Sequence, residues 1–178
     1  WHFLEQVKSM GFSGINNFPT HTIIDGQFGQ SLEETNMGVQ KEIECVQLAT
    51  SKLDLFSITY VATPAEAAAM AKAGADVVIA HVGCTVGGSI GVSDASIGLD
   101  QAAQATQAIC EAVHSVNKNI HVLSHGGPIL TPSDAAYINE HTDTVGFVGA
   151  SSIERIAVEG SIPNLTREFK SIPVKRIK

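Results

Sequence analysis

His81 and His125 each close a short apolar run and open a glycine-rich segment, Gly83-Cys84-Thr85-Val86-Gly87-Gly88-Ser89-Ile90-Gly91 in one case and Gly126-Gly127-Pro128 in the other. Histidine exchanges a proton near neutral pH, so a pair at such junctions suits acid–base work; it suits a hydrogen-bonded structural role equally well. A third segment, Gly149-Ala150-Ser151-Ser152-Ile153-Glu154-Arg155, follows the last apolar run. Gly126, Gly127 and Gly149 would let backbone N–H groups approach an anion closely, and the Ser151 and Ser152 hydroxyls would add donors. The same glycines also make tight turns, and the serines also cap a helix. Two such loops in succession point to a phosphate or carboxylate, where one alone would point to turns.

The 83–91 loop, with Gly87 and Gly88 at its centre, is either mobile like a lid or needs close backbone approach to a bound substrate. It lacks the GxxxxGK[ST] spacing of a P-loop, so that route to nucleoside triphosphates has no support. Cys84 has the chemistry of a nucleophile, although a lone cysteine near a strand end is more often packing. Upstream, the polar run Asn16-Asn17-Phe18-Pro19-Thr20-His21-Thr22-Ile23-Ile24-Asp25-Gly26 offers groups to orient a polar substrate. Asp25 there reads as a base, a metal ligand or half of an Asp-Gly turn. A divalent metal such as Mg2+ could assist such chemistry, but no cluster of ligands in the sequence supports it. HExxH and paired-carboxylate spacings are absent from the sequence.

Elements must hold these groups, and apolar β-rich runs alternating with longer helical patterns are the mark of βαβ units on a parallel sheet. Strands are expected at 14–18, 55–62, 76–82, 120–124 and 144–148. Thr63-Pro64-Ala65-Glu66 and Thr131-Pro132-Ser133-Asp134 each supply an N-cap hydroxyl, a first-turn proline and an acid at the third helical position. Ser31-Leu32-Glu33-Glu34 gives a third such signature, opening a helix expected to run to about residue 50, and Gly74 ends the helix begun at Pro64. Leu99, Ala102, Ala105, Ile109 and Val113 fall on one helical face that should cover the sheet. Five strands fit either an open doubly wound sheet or the last five βα units of a (β/α)8 TIM barrel. The chain begins at Trp1 and enters a helical pattern at once, and three further units would bring it near the roughly 250 residues of a barrel. The barrel is the favoured reading, with one domain over 1–178 and the first strands outside it.

The chain has 178 residues, 44% hydrophobic and 16% charged, enough for a packed core. Its net charge of -7 argues against nonspecific nucleic-acid binding, and the basic cluster of Lys175, Arg176 and Lys178 reads as a solvated tail. No apolar run reaches the roughly 20 residues of a membrane span. Cys45, Cys84 and Cys110 form an odd set without a CxxC pair, which suits a reducing, cytoplasmic setting. An incomplete barrel would expose apolar surface and strand edges, so a homo-oligomer, or completion by an N-terminal segment, is expected.

INNFPTHTIIDG, AGADVVIAHVGCTVGGSIG, VLSHGGPI and GFVGASSIER, in this order, resemble the phosphoenolpyruvate hydrolase-like family, also called the TIM-barrel signal transduction family. The resemblance spans essentially the whole chain. It implies a barrel and chemistry on small phosphorylated or carboxylated molecules, of hydrolase or lyase type. It also implies a second class of role, since related domains in plant tobamovirus-resistance proteins bind a viral protein. Where the family carries ERLPVE, this chain reads Glu154-Arg155-Ile156-Ala157-Val158-Glu159, a departure that leaves the GASS loop intact.

Overall fold

In the computed structural model, which describes residues 1–93 and 97–172, the predicted alternation of strands and helices is present. The strands are β1 (Gly14–Asn16), β2 (Phe56–Val61), β3 (Val77–His81), β4 (His121–His125) and β5 (Gly146–Phe147). They form one sheet in the order β1-β2-β3-β4-β5, and every neighbouring pair is parallel. A doubly wound sheet reverses its strand order at a switch point, whereas a barrel adds each strand beside the last. The unbroken order therefore settles the choice for five consecutive units of a barrel.

Helix α1 (His2–Ser9) precedes β1, and the helices between strands are α2 (Gly26–Glu34), α3 (Val39–Leu53), α4 (Pro64–Lys72), α5 (Leu99–Val116) and α6 (Pro132–His141). After β5 come α7 (Ser151–Glu154), α8 (Ile156–Glu159) and α9 (Ser161–Lys170). Thr63 and Thr131 cap α4 and α6 with complete capping boxes, closed by Glu66 and Asp134, as their spacing predicts. The sheet's outer face is apolar. Val61, Val78, Ala80 and Val122 pack there against Met70 of α4 and Ile109 and Val113 of α5, all fully or almost fully buried. Because strand side chains alternate, Ile58, Tyr60, Ile79, His81, Leu123 and His125 take the opposite face, the barrel interior.

Three expectations need correction. The helix predicted from Ser31 to about residue 50 is two helices, and Ser31 lies inside α2, its hydroxyl donating to the Gln27 carbonyl. The break falls at Asn36, in the left-handed region at φ 59°, and Glu33 turns its carboxylate onto the Val39 amide at 3.0 Å to begin α3. Strand β1 stops at Asn16 because the Asn17 side chain takes over the pairing: its Oδ1 accepts from Tyr60 N–H at 2.7 Å and its Nδ2 donates to Tyr60 O at 3.1 Å. Strand β5 is two residues long although hydrogen bonds to β4 flank it, from Val145 N to Val122 O and from Val148 N to Ser124 O. Lys175, Arg176 and Lys178 lie outside the described residues. Among the described residues no helix is long and apolar enough to cross a membrane.

Candidate functional site

The sheet register sets His81 beside His125 at the C-terminal ends of β3 and β4, the end at which barrel enzymes carry their chemistry. Their ring centroids are 5.2 Å apart. Both line a cavity of about 630 Å3 together with Phe18, Cys84, Ser151 and Arg155. The 83–92 loop supplies one wall through Thr85, Ile90, Gly91 and Val92.

Each histidine is held in one tautomer by a backbone group that can play only one part. The Gly83 amide donates to His81 Nδ1 at 3.2 Å, so in the neutral ring Nε2 carries the proton. His125 Nδ1 donates to the Val148 carbonyl at 2.8 Å, so its Nε2 is a bare acceptor. The pair thus presents one N–H donor and one lone pair. Burial is the main reason both rings resist protonation. It pushes His81 down to about 4, with the neighbouring His125 adding to the effect. Burial also lowers His125, opposed by its bond to Val148 O, which favours the charged ring.

Tyr60, one position before the end of β2, completes this cluster. Its ring meets His125 edge-on, with centroids 5.2 Å apart and planes at 87°, and Phe18 packs against it with centroids 5.1 Å apart. Only 7% of Tyr60 is exposed, and burial, reinforced by the charge of Glu154, raises its phenol above the ordinary value. Sequence reading passed over Tyr60 because a tyrosine in the run FSITYV is an ordinary strand former. Its phase with Ile58 was the available signal.

The glycines have more local reasons. A side chain at Gly126 would put its Cβ 2.2 Å from Gly83 O, and one at Gly127 2.6 Å from Val82 O, so both are needed for two loops to touch. The Gly127 amide already donates to Gly83 O at 2.7 Å and is committed while that bond stands. Gly149 faces Ile153, whose Cδ1 would lie 2.3 Å from an added Cβ. Ser151 reaches the cavity from the first turn of α7, with Ser152 following it in that helix. Gly87 and Gly88 sit away from the cavity lining, Gly88 under the Arg155 and Glu159 side chains and Gly87 facing Leu130. Asp25 is exposed at the N-cap of α2 and stands apart from the histidines and the cavity. The other polar groups of its segment are spent on structure: the Glu42 carboxylate accepts from Asn17 Nδ2, Thr20 Oγ1 and the His21 amide at 2.6–2.7 Å.

The profile of the phosphoenolpyruvate hydrolase-like family matches residues 1–172. The chain belongs to this family. It is 45% identical over 175 residues to the ToMV susceptible protein tm-1(GCR26) of Solanum lycopersicum, covering 98% of the chain and 23% of the tomato protein. It is 33% identical over 169 residues to the putative transcriptional regulatory protein y4pA of Sinorhizobium fredii (strain NBRC 101917 / NGR234), covering 95% of the chain and 27% of that protein. The chain therefore spans about a quarter of the length of the curated relatives it matches. Among solved structures it resembles phosphonopyruvate hydrolase complexed with oxalate and Mg2+, at TM-score 0.54 and 11% identity over 97% of the chain and 61% of that one. A putative phosphonomutase from Burkholderia cenocepacia J2315 gives 0.53 and 13% over 94% and 86%. At such identities the likeness is one of fold, and it agrees with the barrel order of the strands.

The Mg2+ of that neighbour raises the question of fit. Among the described residues no three of His, Cys, Asp and Glu converge, and the cavity lining contains no carboxylate. Mg2+ prefers hard oxygen ligands, so these residues do not fit a Mg2+ site.

Proposed function

We propose that this family member binds a small phosphorylated or carboxylated molecule in the cavity above β3, β4 and β5 and carries out hydrolase- or lyase-type chemistry on it in the cytoplasm. The observation that carries the reading is the tautomer-fixed pair: one imidazole N–H donor and one imidazole lone pair, side by side and both poorly protonated, in one cavity with Arg155. Arg155 supplies positive charge for an anion, and Ser151 supplies a hydroxyl from the loop singled out by its GASS sequence. The neutral pair divides the labour. His125 Nε2 takes a proton from substrate or from an attacking water, because it alone of the two has a free lone pair when neutral. His81 keeps its Nε2 proton and donates a hydrogen bond to the oxygen on which negative charge grows, since losing that proton would leave an unstable imidazolate.

The test is turnover and ligand stabilisation by the intact protein against phosphate, phosphoenolpyruvate, oxaloacetate, oxalate and nucleotides, with and without Mg2+. A ligand present at 100 times its dissociation constant adds about 2.7 kcal/mol to stability, a readily seen thermal shift. His125→Ala is expected to lower turnover by about 10²- to 10⁴-fold, the range of a lost general base. Unchanged turnover in that variant would remove His125 from the reading.

The names of the tomato and rhizobial relatives, a susceptibility protein and a regulator, favour a second reading in which the cavity or its rim serves recognition by a larger protein without turnover. A selective thermal shift without product, or no shift with any small anion and retained binding of a protein partner, is the outcome expected under it.

A further inference from the structure

Arg155 and Glu159 lie one helical turn apart, and between them they hold the loop that walls the cavity. Arg155 Nη1 meets Glu159 Oε1 at 2.7 Å, and Arg155 Nη2 donates to the Gly87 carbonyl at 3.3 Å. The other carboxylate oxygen, Glu159 Oε2, accepts from the Ser89 amide at 2.6 Å. The loop's backbone thus gives one carbonyl to the cation and one amide to the anion of the same ion pair. These side chains are 19% and 17% exposed, so water competes weakly for them. The Arg155 and Ser89 bonds hold the Glu159 carboxyl below the usual carboxylate range.

The glycines at this point are explained by the contact. A Cβ on Gly88 would stand 2.3 Å from both Arg155 Nη1 and Glu159 Oε2, and Gly87 and Gly88 have φ of 76° and 75°. The loop is also tied to itself, with the Gly87 amide donating to Val92 O at 3.0 Å, which closes residues 87 to 92 into one hydrogen-bonded unit. That unit carries Ile90, Gly91 and Val92 into the cavity wall, and Arg155 lines the same cavity. One guanidinium therefore faces two demands, the loop and whatever anion enters.

We propose that Arg155 and Glu159 form a latch that keeps the 83–92 loop closed over the cavity, with Glu159 as a positioning residue, and that an anion in the cavity competes with Glu159 for Arg155. The latch stands on the geometry alone; the competing anion rests on the function proposed above. Binding then loosens the loop's hold, and release of the anion restores it, because a guanidinium shared between two anions binds each less strongly.

The Ser89 amide reports on the loop, since it donates directly to Glu159 Oε2, while Cys110 is buried with its thiol pushed up to about 12 and reports global unfolding. The experiment is the hydrogen-exchange rate of the Ser89 amide in the intact protein, with alkylation of Cys110 by iodoacetamide followed beside it. Glu159→Gln is expected to raise the Ser89 exchange rate by about tenfold with Cys110 still protected, as local opening separates from global unfolding. Gly88→Ala, which wedges the loop away while leaving the ion pair's charges in place, is expected to do the same. Inorganic phosphate, titrated by calorimetry, should bind several-fold more tightly to Glu159→Gln than to the parent and should be lost in Arg155→Gln. Unchanged Ser89 exchange in both Glu159→Gln and Gly88→Ala overturns the latch. Faster exchange with no phosphate binding in any form upholds the latch and overturns the anion competition, together with the anion reading of the cavity.

Discussion

His81 stands where water is scarce and a second imidazole is close, so its proton affinity drops to about 4 from the ordinary 6.5. The unfolded chain binds that proton near 6.5 and the folded chain only near 4. Between those values the unfolded state therefore holds more protons, and stability falls as pH falls through the window, being fully present above it. His125, also lowered, adds in the same direction. Urea midpoints measured from pH 7.5 down to pH 4 should decline, and His81→Gln should flatten the decline; an imidazole resonance of His81 titrating near 6.5 would defeat the account. Tyr60 separates two ways of holding the pair. Tyr60→Phe keeps the edge-on contact to His125 and should leave stability near that of the parent, whereas Tyr60→Ala removes a buried ring and should cost about 3 kcal/mol in denaturant unfolding. The position of the two histidines was legible in the sequence because each ends an apolar run, which places it at the C-terminal end of a strand. Tyr60 and Arg155 were not, since their roles depend on partners brought near by folding: His125 for one, and Gly87 and Glu159 for the other. Asp25 shows the reverse, a reactive residue type that folding leaves at a helix start.

Helix starts explain why so much of the alternation could be read and where the reading slipped. Thr63 and Thr131 each follow a strand and precede proline, so hydroxyl, ring and acid all specify one geometry, and both form full capping boxes. Thr63→Ala and Thr131→Ala should each cost about 1 kcal/mol by denaturant unfolding. Ser31 has the same residue type and following acids but lies mid-helix, its hydroxyl bonded back to Gln27 O, so Ser31→Ala should be neutral or slightly stabilising. Equal losses at all three positions would show that the caps are not what distinguishes them. The missed break between α2 and α3 has a physical cause that composition hides. Gly38 leaves room for the Glu33 carboxylate, which an added Cβ would meet at 2.1 Å, so an acid near the end of one helix serves the beginning of the next. The shortened β1 has a similar cause: an asparagine side chain imitates a backbone ladder, which alternation of apolar residues cannot reveal.

Five parallel strands supply five-eighths of the eight that close a barrel, and β1 and β5 are the edges of the described sheet. Beside β1, a groove of about 550 Å3 is lined by Phe3, Val7, Met10 and Phe12, and three of these are well exposed, Phe3 at 72%, Met10 at 74% and Phe12 at 58%. At the other end of the chain, α9 turns Ile162, Leu165 and Phe169, spaced three and four apart, to solvent at 63%, 55% and 65%. Apolar patches and strand edges of this kind drive association when nothing covers them. We expect the 178-residue chain, studied by itself, to associate with further copies, and the barrel's remaining strands to suppress this when they are present. Sedimentation velocity across the micromolar range should show mass increasing with concentration, and Phe3→Ser with Phe12→Ser should shift the transition to higher concentration. Supplying strands that complete the barrel should abolish it, if these surfaces are the ones such strands cover. A single sharp monomer boundary at every concentration, with cooperative unfolding, would mean that five units suffice to bury their own core. The open edges would then be tolerated for a reason other than packing.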